Sequence, residues 1–318
     1  MILLASSLEH RQNTWLTRSC LLRHPTLSKI CLSRGIPVTT SIMSFSQEVV
    51  PLVVFTCTYY TGTTDLRYQQ CLETLQAAST NSIPIVVVDG SPSDDVHQGL
   101  SQTGAIVCKE TAGGGKGSAL REAALNAAEK VPGVTEHTLL CWQEPEKTGM
   151  IRLWKEILPQ ISHDSDVVVP RRDDECFKSS YPIEQYYSES YGNLYLDTVM
   201  KDAITKDPSG VMRVPASDAA IPRGTSLIDW HFGPFAFRKA HLDLWSKYKG
   251  NSYDAQLVPI VCALRRGLVI SSIGVKFHLD PKMREQEEGD VGFIEKRLNQ
   301  LIDLDPKVKV AWTDAPYC

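Results

Sequence analysis

The chain has 318 residues, 42% of them hydrophobic and 22% charged, which is ordinary for a globular protein and long enough for one large α/β domain or two smaller ones. Its net charge of −4 offers no electrostatic footprint for nucleic acid, and no apolar run approaches the ~20 residues that span a bilayer. The nine cysteines (20, 31, 57, 71, 108, 141, 176, 262 and 318) are odd in number and form no C-x-x-C pair. That argues for a reduced compartment, the cytoplasm, and against a zinc site.

Residues 1–42 stand apart. They hold Arg11, Arg18, Arg23, Lys29 and Arg34, many Ser and Thr, and a single acid, Glu9. This is the composition of a mitochondrial transit peptide, or of an extension upstream of Met43. From residue 51 a regular alternation begins. Apolar strands are predicted at 52–57, 83–88, 105–108, 137–142 and 166–169. Helices are predicted at 65–78, with Asp65 as N-cap, from Asp94, over 116–130 and over 148–161. Unbroken apolar strands alternating with helices imply a parallel sheet covered on both faces, with ligands gathering outside the carboxyl ends of its strands.

The second half is less regular. The tyrosines 186, 187, 191 and 195 recur at near-helical spacing and read as packing, and 171–175 (Arg-Arg-Asp-Asp-Glu) reads as a solvated loop. Residues 201–223 read as a surface excursion. Apolar character returns at 230–238, followed by helices at 240–248 and 254–266, a strand at 269–273, and a final amphipathic helix at 293–302.

Several strand ends carry chemistry. Gly113-Gly114-Gly115-Lys116 lies between the third strand and its helix, where unpaired N–H groups, the helix dipole and a lysine favour a phosphate. Gly117 in place of Ser or Thr excludes a Walker A loop, and the position after the third strand excludes a dinucleotide fingerprint. A plain loop with a glycine cap is the rival reading. Asp89 before Gly90-Ser91 reads as a ligand contact or as a turn residue. Glu144-Pro145-Glu146 places two acids at a helix entrance, and Asp254 stands where a helix cap would.

In this order and spacing the motifs resemble GT-A glycosyltransferases, family-2-like enzymes of the dolichyl-phosphate mannosyltransferase and mannosylglycerate synthase types. The resemblance rests on Val87–Ser91, on Gly115-Lys116-Gly117 with Ala119-Leu120-Arg121, on Glu144-Pro145-Glu146, and on the 233–238 segment Gly-Pro-Phe-Ala-Phe-Arg. It covers about residues 51–280. It implies an α/β GT-A fold with a mostly parallel central sheet flanked by helices, a domain over 48–305, an extension at 1–47 and a tail at 306–318. It also implies transfer of a sugar from a UDP- or GDP-sugar to an acceptor with Mn2+ or Mg2+, and no nucleic acid or transmembrane segment.

Residue by residue, the resemblance assigns nucleotide-sugar contacts to Thr58, Tyr59, Tyr60, Asp89, Gly114 and Lys116. It assigns metal ligands to Glu144, Glu146 and His278, and a general base to Asp254. The family has aspartates where this chain has Glu144 and Glu146, one methylene longer, although either carboxylate is a hard oxygen ligand. That departure keeps a non-catalytic nucleotide- or sugar-binding protein open as the alternative. A nucleotidyltransferase is a further one, but those enzymes place the glycine-lysine loop after the first strand.

Overall fold

The architecture follows from strands that are apolar on both sides. The computed structural model describes residues 52–200, 212–213 and 226–313; the transit-like segment and most of 201–223 lie outside them. The first half alternates β1 (Leu52–Thr58), α1 (Leu66–Thr80), β2 (Ile85–Asp89), α2 (Asp94–Ser101), β3 (Ile106–Lys109), α3 (Lys116–Lys130), β4 (Leu139–Trp142), α4 (Gly149–Ile157) and β5 (Val167–Arg172). Then come α5 (Asp174–Ser180), α6 (Ile183–Val199), β6 (Met212–Arg213), β7 (Phe235–Arg238), α7 (Leu242–Lys247), α8 (Asp254–Arg265), β8 (Ile270–Val275), α9 (Pro281–Glu287) and α10 (Val291–Thr313). Asp65 caps α1, its carboxylate accepting from Arg67 N at 2.8 Å.

These strands form one eight-stranded sheet in the order β3-β2-β1-β4-β7-β5-β8-β6. Every pairing is parallel except those of β7, which runs antiparallel between β4 and β5. The 230–238 run therefore contains a strand, which the sequence pattern presents only as apolar character: four residues buried on both sides show no period. Alternate side chains feed two cores. Phe55, Trp142 and Phe237 face α3, α8 and α10, while Val54, Val87 and Cys141 face α1 and α4. The Phe237 and Trp245 rings stack at 3.9 Å and 8°, locking β7 against α7.

Three expectations are corrected. Residues 171–175 are not a solvated loop: Arg171 and Arg172 end β5, only 9% and 3% exposed, and Asp173 caps α5 by accepting from Cys176 N. The tail expected from residue 306 is helix as far as Thr313, because Leu304, Val308 and Ala311 form a fully buried stripe in the core that α8 also lines. Cys57, Cys71, Cys108, Cys141 and Cys176 are free, but Cys262 is disulfide-bonded, which the expected reduced compartment does not account for. Tyr186 and Tyr195 pack as expected, whereas Tyr187 and Tyr191 are exposed. Among the described residues no helix is long and apolar enough to cross a membrane.

Candidate functional site

Register brings the strand ends together. Thr58 sits opposite Asp89 and Asp89 opposite Lys109, so β1, β2 and β3 end level. The end of β1, the residue that follows β3 and the turn after β4 line a cleft of about 440 Å³. Thr58, Tyr59, Tyr60, Lys116, Glu144 and Glu146 all line it, joining six of the predicted site residues from three segments. Tyr59 presents an open ring, 68% exposed. Gly113, Gly114 and Gly115 take φ of +58°, +103° and +92°, a left-handed run that side chains resist, and it delivers Lys116 to the first position of α3. Gly115 rather than Gly114 touches the cleft.

The charges crowd at the end of β4. Lys116 Nζ lies 3.4 Å from Glu144 Oε1, Gln256 Nε2 donates to the same oxygen at 3.3 Å, and Lys147 Nζ is 3.9 Å from Oε2. Burial alone would push the Glu144 carboxyl up, but Lys116, Lys147 and the Gln256 amide outweigh it and hold the group below its ordinary value. Gly233 (φ +100°) admits that carboxylate, since a Cβ there would collide with both oxygens. Glu146 is paired more weakly, 3.7 Å from Arg67 Nη1, and burial raises its carboxyl despite the arginine. Lys147 follows the Glu-Pro-Glu turn directly and was missed, although its place beside the acids was visible in the sequence.

A second pocket of about 140 Å³ shares Arg67, Lys116, Glu144 and Glu146 with the cleft as a common wall. Its far side comes from α6, α9 and α10. Arg67 Nη2 donates to Glu287 at 2.8 Å, and Arg297 pairs with Glu189. Lys296 has no ion pair among the described residues. Its ammonium stands below the ordinary lysine value because of burial and the cations Arg67, Lys116 and Arg297. Behind this wall Arg172 donates to both oxygens of Asp229 at 2.7 and 2.8 Å and pairs with Glu189 at 2.8 Å, its guanidinium 3.5 Å above the Phe177 ring. The His231 ring also lines the pocket, its imidazole held below the ordinary value by burial. No local motif marks these partners, which lie up to 220 residues apart in sequence.

Other expected site residues are not where the chemistry needs them. Asp89 is 3% exposed and off the cleft wall. Thr58, the Ser91 amide and hydroxyl, and His97 occupy its oxygens at 2.6–3.2 Å, so it braces the β1–β2 ends. Next to the acids, Gln143 accepts from Trp154 and donates to Lys147 O, shaping the turn. Asp254 is 1% exposed and lines neither cavity. Tyr248, Ser252 and Lys307 hold it at the start of α8, and a base needs an open face toward the acceptor. His278 is exposed and lines neither cavity. Among the described residues no three His, Cys, Asp or Glu side chains are grouped to hold a metal, which removes His278 as a third ligand.

No protein-family model matches the chain, and no curated protein matches it. Among solved structures it is similar to glucosyl-3-phosphoglycerate synthase from Mycobacterium tuberculosis in complex with Mn2+, UDP-glucose and phosphoglyceric acid. The TM-score is 0.50 at 13% identity, over 81% of this chain and 80% of that one. This chain has the GT-A fold. Two other structures of the same synthase, one with Mn2+, UDP-glucose and glycerol 3-phosphate and one with phosphoglyceric acid, score 0.48 and 0.47 at 12% identity. They cover 80% of this chain and 79% and 80% of those. Within the GT-A sheet of this protein, Glu144 and Glu146 stand at the end of β4 and the glycine-lysine loop follows β3.

Proposed function

We propose that this chain, over residues 48–313, is a glycosyltransferase that moves a sugar from a nucleotide-sugar donor to a small anionic acceptor. The reading rests on one observation: a single charged wall, Lys116, Glu144, Glu146 and Arg67, bounds two adjoining cavities. The larger takes the nucleoside, with Tyr59 as a stacking surface; the smaller takes the acceptor, whose negative charge meets Lys296, a lysine with no ion pair among the described residues. At the wall the bond from the anomeric carbon to the diphosphate oxygen breaks as the acceptor hydroxyl oxygen bonds that carbon, and the hydroxyl proton passes to the departing diphosphate oxygen. Lys116, Lys147 and Arg67 face the diphosphate as its charge grows, in a partly buried setting where fixed cations act strongly.

The residues fit a divalent ion shared with the substrate. Glu144 Oε2 is buried with no hydrogen bond, Glu146 is beside it, and Mg2+ or Mn2+ is commonly held by one or two carboxylates plus substrate phosphates. When bound there, such an ion supplies charge stabilisation to the leaving diphosphate. The similar synthase was crystallised with Mn2+, UDP-glucose and phosphoglyceric acid, a set that agrees with this reading. The test is turnover of UDP- and GDP-sugars with Mn2+: a chelator should abolish it, and Glu144→Ala should lower it by about 100-fold or more. Undiminished turnover in that variant sinks the assignment.

The engagement of Glu144 by Lys116, Lys147 and Gln256, with no third metal ligand among the described residues, favours a second reading, a non-catalytic binding protein. Calorimetry separates the two, since nucleotide binding indifferent to Mn2+, with no transfer, belongs to the binding protein.

A further inference from the structure

The cleft contains a carboxylate that the reading above leaves unused. Glu110 follows β3 directly and lines the cleft at its opposite side from Glu144. In the order β3-β2-β1-β4 the two strand ends are three steps apart, about 14 Å at the usual strand spacing. A nucleoside laid across the strand ends with its diphosphate at Lys116 and Glu144 thus points its base toward Glu110.

The backbone fixes this side chain. Glu110 N donates to Asp89 O at 2.9 Å, and a Cβ on Gly90 would collide with Glu110 Oε2, so the carboxylate lies over the end of β2. It has no hydrogen bond or ion pair among the described residues. Its charged neighbours are all committed elsewhere. Lys109 pairs with Asp94, Lys116 pairs with Glu144, and Glu122 accepts from Thr111 and Ala112. Asp89 is saturated by Thr58, Ser91 and His97. Burial and the negative charges of Glu122 and Asp89 raise the Glu110 carboxyl, as expected of an acid facing acids with no donor of its own. The nearby Cys57 thiol, pushed up to about 12 by burial, stays neutral and offers only a weak donor.

We propose that Glu110 selects the nucleobase of the donor, and that it selects guanine. An ionised carboxylate only accepts, through two oxygens that pair best with two parallel N–H donors. Guanine presents such a pair, N1–H beside the N2 amino group. Uracil presents one N–H flanked by two carbonyl oxygens that a carboxylate repels. Cytosine and adenine each set an amino group beside a ring-nitrogen acceptor. Glu110 is therefore a specificity residue for a GDP-sugar, and this inference rests on the nucleotide-sugar reading of the cleft.

Calorimetric titration of the full chain with GDP, UDP, ADP and CDP in Mn2+ tests it. GDP should bind about 10- to 100-fold more tightly than UDP, the range one bidentate base contact provides. Glu110→Gln, of the same shape, should weaken GDP by about tenfold or more and leave UDP unchanged or tighter, and Glu110→Ala should do the same. UDP binding as tightly as GDP in wild type, or a GDP-to-UDP ratio unmoved by both substitutions, overturns the guanine assignment while leaving the glycosyltransferase reading standing. Failure of every nucleoside diphosphate to bind overturns both.

Discussion

The cleft half of the sheet and the pocket half are held by different forces. Along β1, β2 and β4 the contacts are apolar and local in pattern: Val54, Phe55, Val86, Val87 and Leu140 are wholly buried, and most charges are left at the strand ends where a ligand can use them. Beyond β5 the chain instead buries charge. Arg172, Glu189 and Asp229 lie 3–4% exposed and tie β5, α6 and the segment before β7 together. In the first region charge is available for function; in the second it is spent mainly on architecture, and its remainder, Lys296, faces the pocket.

The strongest way to break this contrast is to cut the buried network. Asp229→Ala leaves the Arg172 guanidinium short of its bidentate partner in the interior and should cost about 3–5 kcal/mol of stability. Lys116→Ala, a half-exposed cation of the cleft, should cost about 1 kcal/mol or less. Denaturant midpoints measure both, and equal losses would erase the distinction.

A smaller, graded effect follows from acid. Burial opposes ionisation of Asp229 and Glu189, but Arg172, and for Glu189 also Arg297, hold both carboxyls below their ordinary values. A lowered folded-state value makes the contribution complete above the ordinary carboxylate range, and it is lost as pH falls through the lowered values. The stability gap between wild type and Asp229→Ala should therefore narrow on acidification; a constant gap in thermal melts from neutral to strongly acidic pH would contradict it.

The smallest expected effect on transfer sharpens the boundary between the two halves. Asp254→Asn removes a charge that Tyr248, Ser252 and Lys307 contact, and should cost about 1–3 kcal/mol. Transfer per folded molecule should remain near wild type. A hundredfold fall in kcat with unchanged stability would return Asp254 to the chemistry.

Much of the cleft was readable because its signals are local. The runs at 52–57 and 83–88 are long enough to be strands and too apolar to be half-exposed, and the turns after them carry polar or glycine residues that mark their ends. Lys116, Glu144 and Glu146 could be grouped because strand ends of a parallel sheet share one edge. Asp89 misled because an acid that braces a turn and one that greets a ligand look alike in sequence. Glu110 escaped notice because it lacks a motif, and only the room above Gly90 turns it into the cleft.

Sequence alone determined the alternating β–α order, the buried character of the strands and the placing of a glycine-lysine loop and two acids at strand ends, since periodicity and backbone preferences act over a few residues. Tertiary structure decided the insertion of β7, the extension of the last helix past Pro306, and which carboxylates are spoken for and which stand free. Those outcomes depend on partners as far apart as Arg67 and Glu287, and no local pattern encodes which distant charge will meet which.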